Sequence, residues 1–275
     1  MKKVTLFFTL ILALIIVPGV ILAADGNVTE VSTAEQLLSA ISTSGTVKLT
    51  DNIDLVKKVE IPAGVNVTLD LNGKTLDLLT DEEYQTNHNT VYYAIAVKGD
   101  LTITGNGTLN VNGLYGITTG ANSGNITIEN GTFNGENATY IIADYGGKVV
   151  IEDGTFNANY YTVNGLDGWS KTPVQINGGT FNTAVTEDDE NVIAGNVLVK
   201  KGTFNRVIRG ENIASDADIT IKLDADMNIA NLWRANDASE TIVIPSNSKV
   251  TIDLNGHNIT GSNKLFDVKG AELVV

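Results

Sequence analysis

The chain has 275 residues, a formal net charge of −14, no Cys, four Pro, 27 Gly and 30 Asn, with 43% hydrophobic and 18% charged residues. Ample apolar content with few charges excludes a disordered chain, the lack of Cys excludes a disulfide scaffold or a Cys-ligated zinc site, and a pI near 4.4 argues against nucleic acid as a partner. The Gly and Asn excess with little Pro points to many tight turns that need a positive φ.

Lys2 and Lys3 precede an apolar run from Val4 to Leu22, interrupted by Pro18-Gly19 and followed by Ala23-Ala24. This is the pattern of a secretory signal peptide over residues 1–24, with an uncleaved N-terminal anchor as the rival reading. Its removal takes Lys2 and Lys3 but no acid, leaving 16 basic and 32 acidic residues, net −16. The expected location is secreted or at the cell surface. Residues 25–43 read as an N-terminal cap. Ser32-Thr33-Ala34-Glu35 and Thr33-x-x-Gln36 are overlapping capping-box patterns, and Leu37, Leu38 and Ile41 give one apolar stripe. A short helix near residues 33–42 is predicted to cover the open end of the first coil.

Residues 44–275 are repetitive. Ile126-Thr-Ile-Glu-Asn-Gly-Thr-Phe-Asn134 recurs from Val149, Val174 and Val197, at intervals of 23, 25 and 23 residues, with a looser copy from Leu101. Each copy alternates apolar and polar, turns, and continues Thr-Phe-Asn, which indicates strands. Strands this short cannot each bury a face alone, but stacked coils can. Phe133, Phe156, Phe181 and Phe204 are then expected as an interior stack. Asn134, Asn157, Asn182 and Asn205 are expected as a hydrogen-bonded ladder at a turn, with Gly131, Gly154, Gly179 and Gly202 at the preceding corner. A third short strand carries Ile95, Ile117, Ile142, Val163, Ile193 and Ile208. Tyr93, Tyr115, Tyr140 and Tyr161 stand two residues before the first four of these, which by period two places their rings inside or at a corner, as core, in preference to a sugar-stacking column.

A larger unit begins again near residue 217. Ile61-Pro-Ala-Gly-Val-Asn-Val-Thr-Leu-Asp-Leu-Asn-Gly73 returns as Ile244-Pro-Ser-Asn-Ser-Lys-Val-Thr-Ile-Asp-Leu-Asn-Gly256. The final Val274-Val275 aligns with mid-coil residues of the first unit, so the C-terminus reads as truncated. These motifs resemble the right-handed parallel β-helix of the pectate-lyase-like superfamily, and more closely the exported bacterial β-helix proteins of adhesin type. The resemblance implies an all-β right-handed parallel β-helix solenoid of about ten coils of 22–25 residues, with a short N-terminal capping helix. At ~4.8 Å per coil the rod is expected to be about 48 Å long.

Tyr145 and Trp169 are the carbohydrate-binding candidates. Both follow the Ile strand of their coils in Gly-containing loops, 24 residues apart, about one coil. The polar segment Thr80–Thr90 has no counterpart in the second unit and reads as an inserted loop. Its acids, and Asp188 and Asp189 in the run Thr186–Glu190, are weak candidates for Ca²⁺; otherwise no metal or cofactor is expected. The three Arg are Arg206, Arg209 and Arg234, and the odd separation of the first two places them on opposite sides of a regular strand. The Arg/Pro motif of the lyases is missing, Gly256-His257-Asn258 departs from the Gly-His-Gly of polygalacturonases, and no matched acidic trio occupies adjacent coils. No catalytic residue is assigned. The sequence therefore reads as a non-catalytic exported stalk or adhesin-like surface protein, a monomeric rod whose partner is a polysaccharide, glycan or host matrix. A polysaccharide lyase or glycoside hydrolase of the same fold is the alternative, and a purely structural rod a third reading.

Overall fold

The computed structural model describes residues 28–78, 93–112, 115–136, 138–166, 168–184, 191–232, 241–261 and 264–275. The segment expected to be a signal peptide, the whole of the expected inserted loop at 80–90 and the run holding Asp188 and Asp189 lie outside them.

The chain is an all-β parallel β-helix solenoid. Successive coils contribute one strand to each of three faces. On the first face Gly45–Leu49, Asn66–Asp70, Asp100–Thr104, Asn125–Ile128, Lys148–Ile151 and Val174–Ile176 pair in parallel, each with the next. On the second, Ile53–Leu55, Thr75–Leu78, Thr108–Val111, Thr132–Gly135, Thr155–Ala158 and Thr180–Thr183 do the same. The third face is a six-stranded sheet from Val59–Ile61 through Tyr93–Val97, Tyr115–Thr119, Tyr140–Asp144 and Tyr161–Gly165 to Ile193–Gly195. Each strand satisfies its backbone through the coil above and below, so three- to five-residue strands suffice.

Burial alternates along the Thr-Phe-Asn strands, with Phe inside. Phe133, Phe156, Phe181 and Phe204 are fully buried and stacked face to face, with centroids 4.7, 4.9 and 4.9 Å apart. The Gly before each ring is an interior corner. Gly131, Gly154 and Gly179 have φ of 124°, 132° and 105°, and a Cβ would stand 3.2–3.3 Å from the nearest Phe ring atom of its own coil. Only glycine fits both the backbone and the space.

At the N-terminal end the helix spans Ala34–Ala40, shorter than the 33–42 expected. Of the two capping patterns, Thr33…Gln36 is the one formed: Thr33 Oγ1 accepts from Gln36 N at 3.3 Å, and Gln36 Oε1 accepts from Ser32 N at 2.8 Å. Leu37 and Ile41 are buried, whereas Leu38, expected on the same stripe, is exposed. The helix packs against Val28–Val31 and Ile53–Leu55 of the first coils.

The solenoid changes phase where the second unit starts. Val197–Phe204 crosses two faces, and Ile213–Lys222 follows it with a register shift. Val199 pairs with Ile213 only 14 residues on, and Phe204 with Ile221 only 17 on. One face is skipped. The second-face column of the first unit therefore continues into Ile219–Lys222 and then Lys249–Asp253, which occupies the first-face place of its own unit. The interior Phe stack passes into Ile221 and Ile252. The repeated turn keeps its local geometry across the shift. Asn72-Gly73 has φ of 47° and 72°, Asn255-Gly256 has 48° and 84°. Asn72 Nδ2 donates to Leu49 O at 2.8 Å and Asn255 Nδ2 to Leu223 O at 2.9 Å.

The shift also changes two expectations. Ile208 is buried but lies outside any strand, because residues 205–209 span the shortened coil. Arg206 and Arg209 belong to the same irregular stretch, so strand parity does not apply to them. Arg206 is buried, its Nη1 donating to Asn205 O at 2.6 Å and pairing with Asp224, while its Nε has no partner. Arg209 Nε donates to Leu232 O at 2.6 Å.

Candidate functional site

Two outward-facing columns run coil to coil along the rod. The first is the asparagine row of the second face. Asn134, Asn157 and Asn182 sit within extended strands, not at a turn as the sequence suggested. Each Nδ2 donates to the Oδ1 of the coil before: Asn182 to Asn157, Asn157 to Asn134 and Asn134 to Asn110, each at 2.9 Å. Asn110 ends the row on Asp77 Oδ1 at 2.5 Å. Asn205 does not join. Its Nδ2 donates to Thr183 O and Asp224 Oδ2, both at 2.8 Å, because the phase shift removes the strand that would have aligned it. The row floors a polar trough of about 600 Å³ rimmed by Asn112, Glu136 and Asn159.

The second column lies on the third face. Its strands read Tyr93-Ala-Ile-Ala96, Tyr115-Gly-Ile-Thr118, Tyr140-Ile-Ile-Ala143 and Tyr161-Thr-Val-Asn164. Period two, which put the tyrosines with the core, fails here. Ile141 and Ile142 are adjacent yet both fully buried in the core, as are Ala94 and Ile95. Two consecutive inward residues turn the preceding Tyr to the surface, half-buried. Tyr115 and Tyr140 stack at 5.3 Å, and Tyr140 and Tyr161 at 5.2 Å. Three residues after each Tyr comes a small buried residue, and at Ala96 and Thr118 a recess lies over it. Ala96 and Thr118 are in register, and Ala143 and Asn164 continue their column. Tyr93, Tyr115 and Tyr145 wall a groove of about 450 Å³ over Ala96 and Thr118, closed at one end by Lys98, Gly120 and Ala121.

Tyr145 meets Tyr115 edge-on, ring centroids 6.2 Å apart at 72°. Burial pushes its phenol well above the usual range, and the neighbouring Tyr115 hydroxyl adds to this. Lys98 Nζ contacts Glu60 at 2.9 Å, and this hydrogen bond holds the ammonium above its ordinary value. Lys58 stands over the Tyr93 ring, 5.4 Å from its centroid.

The loop carrying Tyr145 is held from below by Asp144, which is fully buried. Its Oδ1 accepts from Thr119 Oγ1 at 2.6 Å, Gly147 N at 2.9 Å and Gly146 N at 3.1 Å, and its Oδ2 from Ser170 Oγ at 2.5 Å. One carboxylate thus joins three coils. Sequence reasoning missed it, although a hydroxyl stands 25 residues before it and another 26 after, about one coil each way. The tyrosine groove was also legible in principle, as Tyr-x-(Ile/Val)-small repeated four times.

The structure separates the two carbohydrate candidates. Tyr145 turns back to the preceding coil and lines the groove, whereas Trp169 is 56% exposed and has no ring contact among the described residues. Their loops meet through the Ser170–Asp144 hydrogen bond and a close backbone approach, a Cβ at Gly146 lying 2.8 Å from Trp169 O, but the two rings do not meet. Among the described residues no group of three His, Cys, Asp or Glu could hold a metal ion. The Ca²⁺ candidates Asp188 and Asp189 are not among them.

What the fold and the two columns define is a class, the parallel β-helix solenoid with ladders of repeated side chains. No family model, no curated protein and no solved structure matches the chain.

Proposed function

We propose that the protein is a non-catalytic, exported β-helix stalk of adhesin type that binds a glycan in the tyrosine groove. The observation that carries this reading is the groove itself. Aromatic walls, a floor of Ala96 and Thr118 and a few polar groups at the edges are the make-up of a small-ligand cleft. Phenol hydroxyls beside apolar ring surface suit a sugar, which presents both kinds of surface. The asparagine trough is polar, but its amides already bond one another from coil to coil. Export is supported by the basic, apolar and small-residue pattern of residues 1–24.

The test is binding of the full chain to a glycan array, followed by calorimetry on any sugar retained. Tyr115→Ala and Tyr145→Ala are each expected to weaken binding by up to about tenfold while circular dichroism stays unchanged. A chain that retains no glycan, or variants that bind like the wild type, would remove this reading in favour of a structural rod. Release of unsaturated oligosaccharides from acidic polysaccharides, with or without Ca²⁺, would remove its non-catalytic part.

A further inference from the structure

We propose that Asn130 is a site of spontaneous chemical modification, deamidating through Gly131 ahead of the other Asn-Gly pairs among the described residues. Gly131 precedes the strand Thr132–Gly135, and its N–H goes to Asn130 Oδ1 at 2.7 Å rather than into the sheet. Because Oδ1 is bonded to Cγ, this contact holds the carboxamide carbon beside the one nitrogen that can close a five-membered ring on it. That is a near-attack arrangement. The coil imposes it. One coil on, Gly154 N donates to Asp153 Oδ1, again at 2.7 Å. Asp153 carries a carboxylate, a poorer electrophile, and so serves as a built-in slow comparator.

The other described Asn-Gly pairs are arranged differently. Gly135 and Gly165 lie inside strands, where their nitrogens are held in the sheet. The carboxamides of Asn72 and Asn255 reach to Leu49 O and Leu223 O. Asn177 Nδ2 reaches Glu152, and Asn106 Oδ1 accepts from Asn130 itself.

In the reaction Gly131 N, losing its proton to hydroxide, forms a bond to Asn130 Cγ. The Cγ–Nδ2 bond breaks and Nδ2, taking a proton from water and so returning the hydroxide, leaves as ammonia, giving a succinimide. Water then adds to one of the two ring carbonyls: attack at Cγ gives Asp, attack at the main-chain carbon gives isoaspartate. The product loses the 2.7 Å hydrogen bond to Asn106 and places a second carboxylate beside Asp153.

The experiment is peptide mapping by mass spectrometry of the folded full chain aged at mildly alkaline pH, with enzymatic methyl labelling of isoaspartate. The peptide holding Asn130 is expected to gain the mass of an NH₂-to-OH exchange about tenfold faster than the peptides holding Asn72, Asn106, Asn134, Asn164, Asn177 or Asn255. In urea the pairs should converge. Asn130→Ser should abolish both the leading mass gain and its label. A different pair leading in the folded protein, or equal rates at all pairs, overturns the proposal. That comparison needs only the wild-type chain.

Discussion

The asparagine trough and the tyrosine groove are built by the same device, one side chain repeated at the same place in each coil, yet they end in opposite states. In the trough the repeated group points along the rod, so each amide is the partner of the next and the row closes on itself. In the groove the ring faces are used between coils, but the recess over Ala96 and Thr118 remains. A repeated polar group stabilises the rod when its hydrogen bonds run along the axis. It becomes available to a ligand when a small neighbour opens space beside it.

Both columns rest on one interior, and the largest expected effect shows this. Phe156→Ala removes the middle of the ring stack and should cost about 3–5 kcal/mol in urea unfolding, with trough and groove lost in a single transition. Separate transitions would break the picture of a shared core. Asp144→Ala removes a carboxylate that accepts from two backbone N–H groups and two hydroxyls and should cost about 2–4 kcal/mol. It should also abolish binding in the groove, whereas Asp144→Asn should keep part of both; equal losses would show that shape alone matters there. Asn157→Ala cuts the row on both sides and should cost about 1–2 kcal/mol, without altering any ligand affinity. A change in affinity would move the binding site to the trough.

The smallest effect is pH-dependent and belongs to the second unit. The Asn258 backbone N–H holds Asp226 below the usual carboxylate value of 3.8, and the Lys264 ammonium does the same for Asp267. A depressed folded value means the stabilisation is present above the unfolded value and lost as pH falls through the folded one. Protection of the amides at residues 241–275, measured against their intrinsic exchange rates, should therefore fall on acidification below about pH 4, with residues 125–182 less affected. A uniform loss of protection would count against a locally acid-sensitive unit.

The interior was legible because a buried aromatic residue recurring at coil spacing leaves little choice of face. Phe133, Phe156 and Phe181 also follow a glycine that only a corner explains. The ladder partners of the asparagines were legible for the same reason, but not their place, since Asn suits both a left-handed turn and an extended strand. The tyrosines were placed inside by a period that holds for Thr-Phe-Asn and fails for Tyr-Ile-Ile, where two adjacent residues face the core. Asp144 was not singled out from the sequence. Its burial depends on Thr119 and Ser170, which only stacking brings to it. Arg206 shows a further limit, because the strand it was assigned to ends at Phe204.

The asparagine row also gives the rod an electrical direction. Parallel strands contribute little net dipole along the stacking axis, but here every amide is oriented alike, N–H toward the lower-numbered coil. The aligned dipoles leave a positive end at Asn110 and a negative end at Asn182. The group found at the positive end is the carboxylate of Asp77, as an anion is favoured at the start of an α-helix. The two ends are therefore not interchangeable. Only a donor could extend the row at Asn182, and Asn205 in the next coil spends its Nδ2 on Thr183 O and Asp224 instead; at Asn110 the row is met by the acceptor Asp77, and Asp77→Lys should disturb the whole row rather than its first member alone.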